Sequence, residues 1–214
     1  MIPLRDSQSP GIFPFWVIVI ITANVYLFIT QITSQNPESI INLYALIPSN
    51  IQFSSPITLI TFITSQFLHG GFLHILSNMW FLWIFGDNVE QRSGKILFPI
   101  LYLSSGVVGA LAQYIFMSDS SIPMLGASGA IAGVLGAYFA WFPKHTIKTL
   151  IPFFGLISII EIPASIMLFY WLATQFLSGI GSIGGQETGG VAYFAHIGGF
   201  LAGWILAKMI SRND

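Results

Sequence analysis

Six long stretches of the chain are almost free of charged residues, and this feature limits the folds open to it most severely. About 20 mostly apolar residues suffice for a helix to cross the hydrocarbon core of a bilayer. The whole chain is only 7% charged and 54% hydrophobic, with a mean hydropathy of +0.78. A soluble domain could not cover its surface with so few charges, so a cytosolic enzyme, a disordered chain and a nucleic-acid binder are excluded. The runs lack the strict alternation of a β-barrel, and we expect an all-α membrane protein.

The apolar runs predict a single membrane domain over residues 1–214, in the form of a six-transmembrane-helix bundle. The fifth span is the least regular, because Pro152 and Pro163 interrupt the apolar region around it. Residues 146–160 are therefore expected to form an interfacial or re-entrant stretch. The predicted spans cover approximately residues 12–32, 71–87, 95–117, 126–143, 162–178 and 191–210.

The basic residues predict the orientation of these spans. With six crossings, every Lys and Arg falls on the termini or on the second and fourth connections, which lie on one side of the membrane. By the positive-inside rule, both termini are expected to be cytoplasmic. The residues that fix this orientation are Arg5, Arg92, Lys95, Lys144, Lys148, Lys208 and Arg212.

Two predicted spans carry pairs of glycines four residues apart, which would give each helix a flat face. Gly129 and Gly133 lie on the fourth span, and Gly199 and Gly203 lie on the sixth. Small residues at this spacing let two helix backbones approach closely. Taken singly, each pair is more simply explained as a packing motif, because such pairs are common in membrane helices.

Polar residues beside these glycines favour a catalytic interpretation. Ser128 adjoins the glycine face of the fourth span, and His196 adjoins that of the sixth. The depths of three polar residues agree. At 1.5 Å per residue, the distances to the cytoplasmic ends of their spans are about 22 Å for Ser128, 18 Å for His196, and 20 Å for His74 of the second span. A hydroxyl and an imidazole at one depth can act as nucleophile and general base. Ionisable groups inside a span are functional candidates by default.

His74 shares one helix face with Asn78, because the two residues are four positions apart. Both side chains can donate hydrogen bonds to an oxyanion, although a polar pair that only joins two helices remains an alternative. No Asp or Glu lies at this depth, so a Ser–His dyad is favoured over a triad with a carboxylate. A metal site is not expected, because too few ligands are present and the chain has no cysteine. His69 is given at most a positioning role, and His145 is expected to be an interface anchor.

These motifs together resemble the rhomboid intramembrane serine proteases. The resemblance spans roughly residues 60–210, with six spans in the family's order. It rests on HILSN at 74–78, EQR at 90–92, GASG at 126–129, and AHIGG at 195–199 followed by Gly203.

The resemblance implies that Ser128 is the nucleophile and His196 the base. It also implies an oxyanion hole formed by His74, Asn78 and backbone N–H groups around Gly126 and Ser128. Glu90 and Arg92 would be structural. The first loop lacks the tryptophan–arginine pair of many relatives, and Ile57 and Thr58 are the nearest counterparts.

The implied activity is hydrolysis of a peptide bond in or near a transmembrane segment, without a cofactor. The expected partners are transmembrane protein substrates and the lipid bilayer, and no nucleic acid. The glycine-rich residues 178–190 are read equally well as a linker or as a mobile cap over the site. An inactive relative that binds membrane clients, a small transporter and a purely structural assembly protein remain alternatives. The absence of a long extension or presequence predicts a prokaryotic plasma membrane, with the active site facing the extracytoplasmic side.

Overall fold

Helices form most of the molecule. The computed structural model describes residues 1–8, 11, 13–153, 156–183 and 190–210. Two single-turn 3₁₀ helices, Pro48–Asn50 and Ser65–Phe67, accompany the α-helices. The α-helices are α1 Phe15–Thr33, α2 Pro37–Tyr44, α3 Pro56–Leu59, α4 Thr61–Thr64, α5 Phe72–Phe116, α6 Ser128–Trp141, α7 Ala164–Ile183 and α8 Tyr193–Ile210.

The predicted membrane architecture is confirmed at the coarse level. Among the described residues, the helices α1, α5, α7 and α8 are long and apolar enough to cross a membrane. The two spans predicted at 71–87 and 95–117 fall within α5, which leaves helical geometry at Gly94, where φ is +80°. Glycine adopts this backbone conformation without the steric penalty of a Cβ. The fourth predicted span is the shorter apolar helix α6.

The prediction of an all-α fold is wrong, because the chain also forms a three-stranded antiparallel sheet. Its strands are β1 Ile2–Asp6, β2 Thr146–Phe153 and β3 Leu156–Pro163, in the order β1-β2-β3. The register pairs Ile2 with Leu150 and Thr146 with Pro163. The stretch expected to be interfacial or re-entrant is therefore mainly a β-hairpin, and α7, the helix of the fifth predicted span, begins at Ala164.

The composition of the hairpin explains why it forms strands. Its two segments, TIKTLIPF and LISIIEIP, are rich in β-branched residues, which favour extended backbone. Ile147, Thr149 and Ile162 point inward and are buried, whereas Ile157 and Ile159 are exposed. In β2, Ile147 and Thr149 are buried on either side of exposed Lys148, and the sequence interpretation missed this period of two.

Helix α6 lies at the centre of the core, and its residues from Gly129 to Tyr138 are buried. It packs against both α5 and α8. A Cβ added at Gly199 would overlap the carbonyl oxygen of Gly129, and one added at Gly203 would overlap that of Gly133. The two glycine faces therefore meet at backbone contact, which brings the starts of α6 and α8 together.

Two buried carboxylates tie the chain together away from the serine. Glu90 of α5 accepts hydrogen bonds from the backbone N–H groups of Trp16 (2.9 Å) and Val17 (3.0 Å), and so caps the start of α1. Asp6 of β1 accepts from Tyr138 Oη. Asn88 Nδ2 also donates to Asp6 at 2.7 Å.

His145 lies within this second cluster rather than at a free interface. Its Nδ1 is 3.1 Å from Tyr138 Oη and 3.6 Å from the Asp6 carboxylate. The contacts attach β1, and through it the sheet, to the end of α6 that is remote from Ser128.

The first loop has its own internal anchor. Thr58 Oγ1 donates to the carbonyl of Gln52 at 2.8 Å and accepts from the Gln52 N–H at 3.1 Å. Thr58 therefore closes this loop by hydrogen bonds, without the tryptophan–arginine pair. Of the cap or linker predicted at residues 178–190, residues 178–183 continue α7, and residues 184–189 lie outside the described residues, as does Arg212.

Candidate active site

Ser128 and His196 form a hydrogen bond although they are far apart in the sequence. Ser128 is the first residue of α6, and its hydroxyl lies 2.8 Å from Nε2 of His196 on α8. Both side chains are half-buried. The structure thus brings together the two residues that the sequence analysis paired from their depth, their neighbouring glycine faces and the family resemblance.

The turn before Ser128 needs glycine. Gly126 has a φ of +128°, and a Cβ there would lie 2.8 Å from both Cε1 and Nε2 of His74. Glycine therefore permits the left-handed backbone and the close approach of the imidazole. The N–H of Gly126 donates to the carbonyl of Ser65 at 2.9 Å, so this amide is already engaged. The N–H of Ser128, in the first turn of α6, has no partner within its own helix.

The start of α8 is fixed by α5. The N–H of Phe194 donates to Oε1 of Gln113 at 3.1 Å, which satisfies one free amide of the first turn. The rings of Phe116 and Phe194 stack with their centroids 4.3 Å apart. Since His196 follows two residues later, these contacts hold the imidazole at the height of Ser128.

A residue that sequence reasoning missed completes the environment of His196. Oε1 of Gln175, on α7, lies 2.7 Å from Nδ1 of His196. The ring of Trp171, one turn earlier on the same helix face, lies 5.8 Å from the imidazole at an interplanar angle of 32°. The available signal was a glutamine within an apolar span, where polar side chains are rare.

His74 presents a donor toward Ser128. The N–H of Gly70 donates to Nδ1 of His74 at 3.3 Å, so Nδ1 is the acceptor and the proton resides on Nε2. Nε2 is the atom that lies against Gly126. Asn78 is buried beside it and donates one amide hydrogen to the carbonyl of His74 at 2.8 Å.

His69 supports His74 from behind. Its fully buried ring meets that of His74 edge to face, with centroids 5.2 Å apart. His69 lies before the start of α5, and burial lowers its pKa to about 4, with a further contribution from a charge on His74. A neutral ring at this position adds no positive charge next to the donor of His74.

These groups open into a cavity of about 860 Å³. Ser128, His196, His74 and Asn78 contribute polar atoms to its wall. Most of the remaining wall is apolar and includes Phe72, Leu73, Phe81, Met124, Leu125 and Trp171. A cavity of this size with a mostly apolar wall is large enough to hold a ligand next to the Ser128 hydroxyl.

The arrangement matches acyl-transfer chemistry better than metal chemistry. Within the described ranges, no group of three or more His, Asp, Glu or Cys side chains could hold a metal ion. Glu90 belongs to the EQR segment that contributes to the family resemblance, but it caps α1 and does not line the cavity.

Comparison with known proteins agrees with the sequence resemblance. The Rhomboid domain family model matches residues 56–213. RHOMBOID-like protein 6, mitochondrial, of Arabidopsis thaliana is 33% identical over 69% of this chain and 42% of its own length. Rhomboid-like protein 11, chloroplastic, of the same plant is 28% identical over 97% of this chain and 70% of its own length. Rhomboid protease GluP of Bacillus subtilis is 41% identical over 35% of this chain and 14% of its own length.

The same comparisons correct the expected location. The prediction of a prokaryotic plasma membrane is wrong, because similar proteins from Arabidopsis, yeast and cattle are mitochondrial or chloroplastic. The prediction of an integral membrane protein agrees with the four long apolar helices. The chain spans about half the length of the curated relatives it matches.

Proposed function

Because the chain belongs to the rhomboid family, we propose that it is an intramembrane serine protease that cleaves a peptide bond in or near a transmembrane segment of a membrane protein. The observation that carries this proposal is the 2.8 Å contact between the hydroxyl of Ser128 and Nε2 of His196 inside an apolar cavity.

We further propose six membrane crossings with both termini on the side that carries the Lys and Arg residues. The half-helices on either side of Gly94 supply two of these crossings, and the buried helix α6 supplies another.

In the first half-reaction, His196 takes the proton of the Ser128 hydroxyl as Oγ bonds to the carbonyl carbon of the substrate. The carbonyl becomes a tetrahedral oxyanion. His196 then gives the same proton to the leaving nitrogen, and the C–N bond breaks to release an amine. The remaining acyl group is held as an ester on Ser128.

The negative charge of the tetrahedral intermediate requires donors that are already in place. The Ser128 N–H lies at the positive end of α6, where backbone amides are free and the helix dipole favours an anion. His74 and Asn78 line the same cavity, and the Nε2–H of His74 and the second amide hydrogen of Asn78 are the further donors of this proposal. The N–H of Gly126 already donates to the carbonyl of Ser65. The role of Gly126 is therefore to leave room for the imidazole of His74.

In the second half-reaction, His196 removes a proton from a water molecule that attacks the ester. The acid product leaves, and Ser128 regains its proton. The substrate must be unwound at the scissile bond, because a helix hides its carbonyls in hydrogen bonds. Segments with glycine or proline near one end unwind at lower cost, and we expect them to be the better substrates.

Reconstitution in liposomes tests the proposal. The substrates would be single transmembrane helices tagged at both ends, with and without a glycine pair near one end of the apolar run. The wild type should cleave the glycine-containing helix faster, at sites that mass spectrometry places in or next to the apolar run.

Ser128→Ala and His196→Ala should each abolish this cleavage. Ser104→Ala serves as the matched control, because Ser104 is a half-buried serine outside the cavity wall whose hydroxyl donates to carbonyls of its own helix. Cleavage that persists in Ser128→Ala, or its absence in a folded wild type that also resists serine-directed phosphonates, would contradict the proposal and favour a client-binding relative.

A further inference from the structure

We propose that Gln175 of α7 is a positioning residue that selects the tautomer and the orientation of His196, so that the competence of the base depends on where α7 lies. This inference rests on the proposed function. It concerns a residue that has no counterpart in a simple Ser–His dyad.

The first step is the chemistry of the contact. An amide oxygen can only accept a hydrogen bond, so the 2.7 Å contact between Gln175 Oε1 and His196 Nδ1 requires the proton on Nδ1. A neutral imidazole carries one N–H. Nε2 therefore keeps its lone pair and accepts from the Ser128 hydroxyl, which is the arrangement that a general base needs.

The second step is the orientation of the amide itself. The Nε2 group of Gln175 lies 3.4 Å from Oγ1 of Thr174, and Thr174 Oγ1 donates to the carbonyl of Trp171 at 2.6 Å. The amide hydrogens therefore have an acceptor on the side away from His196. This contact favours the orientation in which the amide oxygen faces the imidazole.

The third step is the combination of two restraints on one helix. Gln175 holds the edge of the imidazole, and Trp171 covers its face with an interplanar angle of 32°. These two residues lie four positions apart, on the same face of α7. Rotation of the imidazole about its side-chain bonds is therefore limited from α7 as well as from Ser128.

The fourth step is the position of α7 at the edge of the bundle. Its outer surface carries large apolar side chains, with Phe169 66% and Leu177 69% exposed. A hydrogen bond of 2.7 Å is lost once its atoms separate beyond about 3.5 Å. A displacement of α7 by about 1 Å would thus release the imidazole without disturbing the backbone contact between α6 and α8.

A neutral amide has a different effect from the carboxylate of a catalytic triad. A carboxylate both orients the imidazole and stabilises its positive charge. An amide oxygen supplies the orientation without burying a negative charge in the membrane, where an uncompensated charge is costly. Replacement of Gln175 by Glu should therefore preserve the orientation, whereas a side chain without an acceptor should abolish it.

The experiment compares Gln175→Leu, which removes the acceptor at similar size, with Gln175→Glu, which retains it. Phe176→Leu is the matched control, because Phe176 is adjacent on α7 and 53% exposed. We expect Gln175→Leu to lower kcat by about 10-fold to 100-fold with KM unchanged, since a misoriented base weakens the proton transfer rather than substrate binding. Gln175→Glu should recover most of this loss.

The second readout is ¹⁵N NMR of the imidazole nitrogens in histidine-labelled protein, with His196→Gln to assign the signals. The wild type and Gln175→Glu should show a proton on Nδ1 of His196, and Gln175→Leu should show a mixture of tautomers. Where the leucine variant folds poorly, Gln175→Asn replaces it, because its amide is withdrawn by about 1.5 Å and should give the same loss of kcat.

A kcat within two-fold of the wild type in Gln175→Leu, or an unchanged tautomer, would overturn the inference. A change confined to KM would overturn it as well. The NMR measurement does not depend on hydrolysis, so it decides the inference even for a wild type that neither cleaves a substrate nor reacts with phosphonates, which is the outcome that would refute the proposed function alone.

Discussion

Replacement of Gly199 by alanine tests whether the close packing of α6 and α8 is what assembles the site. The added Cβ would overlap the carbonyl oxygen of Gly129 and would lie 3.0 Å from its carbonyl carbon. Carbon and carbonyl oxygen normally approach no closer than about 3.3 Å, so α8 must move away from α6 by about 1 Å.

The size of the effect follows from this displacement. Overpacking of a tight core costs about 1–3 kcal/mol of unfolding free energy. The same shift would stretch the 2.8 Å contact between Ser128 and His196 beyond hydrogen-bonding distance. A misplacement of about 1 Å at a catalytic group can cost about 100-fold in rate, and we expect a loss of this order in kcat.

The assay is paired unfolding in bicelles and cleavage in liposomes, with Gly181→Ala as the matched control. Gly181 lies in α7, and a Cβ there meets nothing within 4 Å. The control should keep its activity and gain about 0.5–1 kcal/mol, because alanine is the better helix former. A Gly199→Ala protein with the stability and kcat of the wild type would refute the reasoning.

Three further predictions concern other contacts. Glu90→Gln should lower the unfolding free energy by about 2 kcal/mol in chemical denaturation, because a charge-assisted cap of α1 is lost. The control Glu161→Gln, at the exposed hairpin, should change it by less than about 0.5 kcal/mol. Equal effects of the two substitutions would argue against the cap. His74→Ala should lower kcat about 100-fold at constant KM in the liposome assay, because an oxyanion donor is removed; a selective rise in KM would assign His74 to substrate binding instead. Tyr138→Phe should cost about 1–3 kcal/mol by removing a donor to buried Asp6, and a thermal midpoint equal to that of the wild type would exclude such a role.

The parts of the site that could be predicted from sequence follow from helical periodicity. Within one helix, 3.6 residues per turn fix the position of Ser128 relative to Gly129 in α6 and of His196 relative to Gly199 in α8, so faces and depths can be counted. The basic residues then set the direction of each helix. Direction and depth together were enough to pair Ser128 with His196.

The parts that could not be predicted depend on contacts between distant segments. The β-hairpin lay in an apolar region that also suited a membrane segment, and β1 becomes a strand only through its pairing with β2. Gln175 lies on α7, and the sequence of this mostly apolar helix does not determine which of its faces packs against α8. Its contact with His196 depends on how α7 packs, which periodicity within a single helix does not determine.

The central claim is that Ser128 is an activated nucleophile, and covalent labelling tests it most directly. The protein in mild detergent would react with a fluorophosphonate, and mass spectrometry would locate the adduct in the wild type, Ser128→Ala, His196→Ala and the control Ser104→Ala. The account predicts an adduct on Ser128 in the wild type and the control, and none in the other two. An adduct on another residue, or equal labelling of Ser128 without His196, would contradict it.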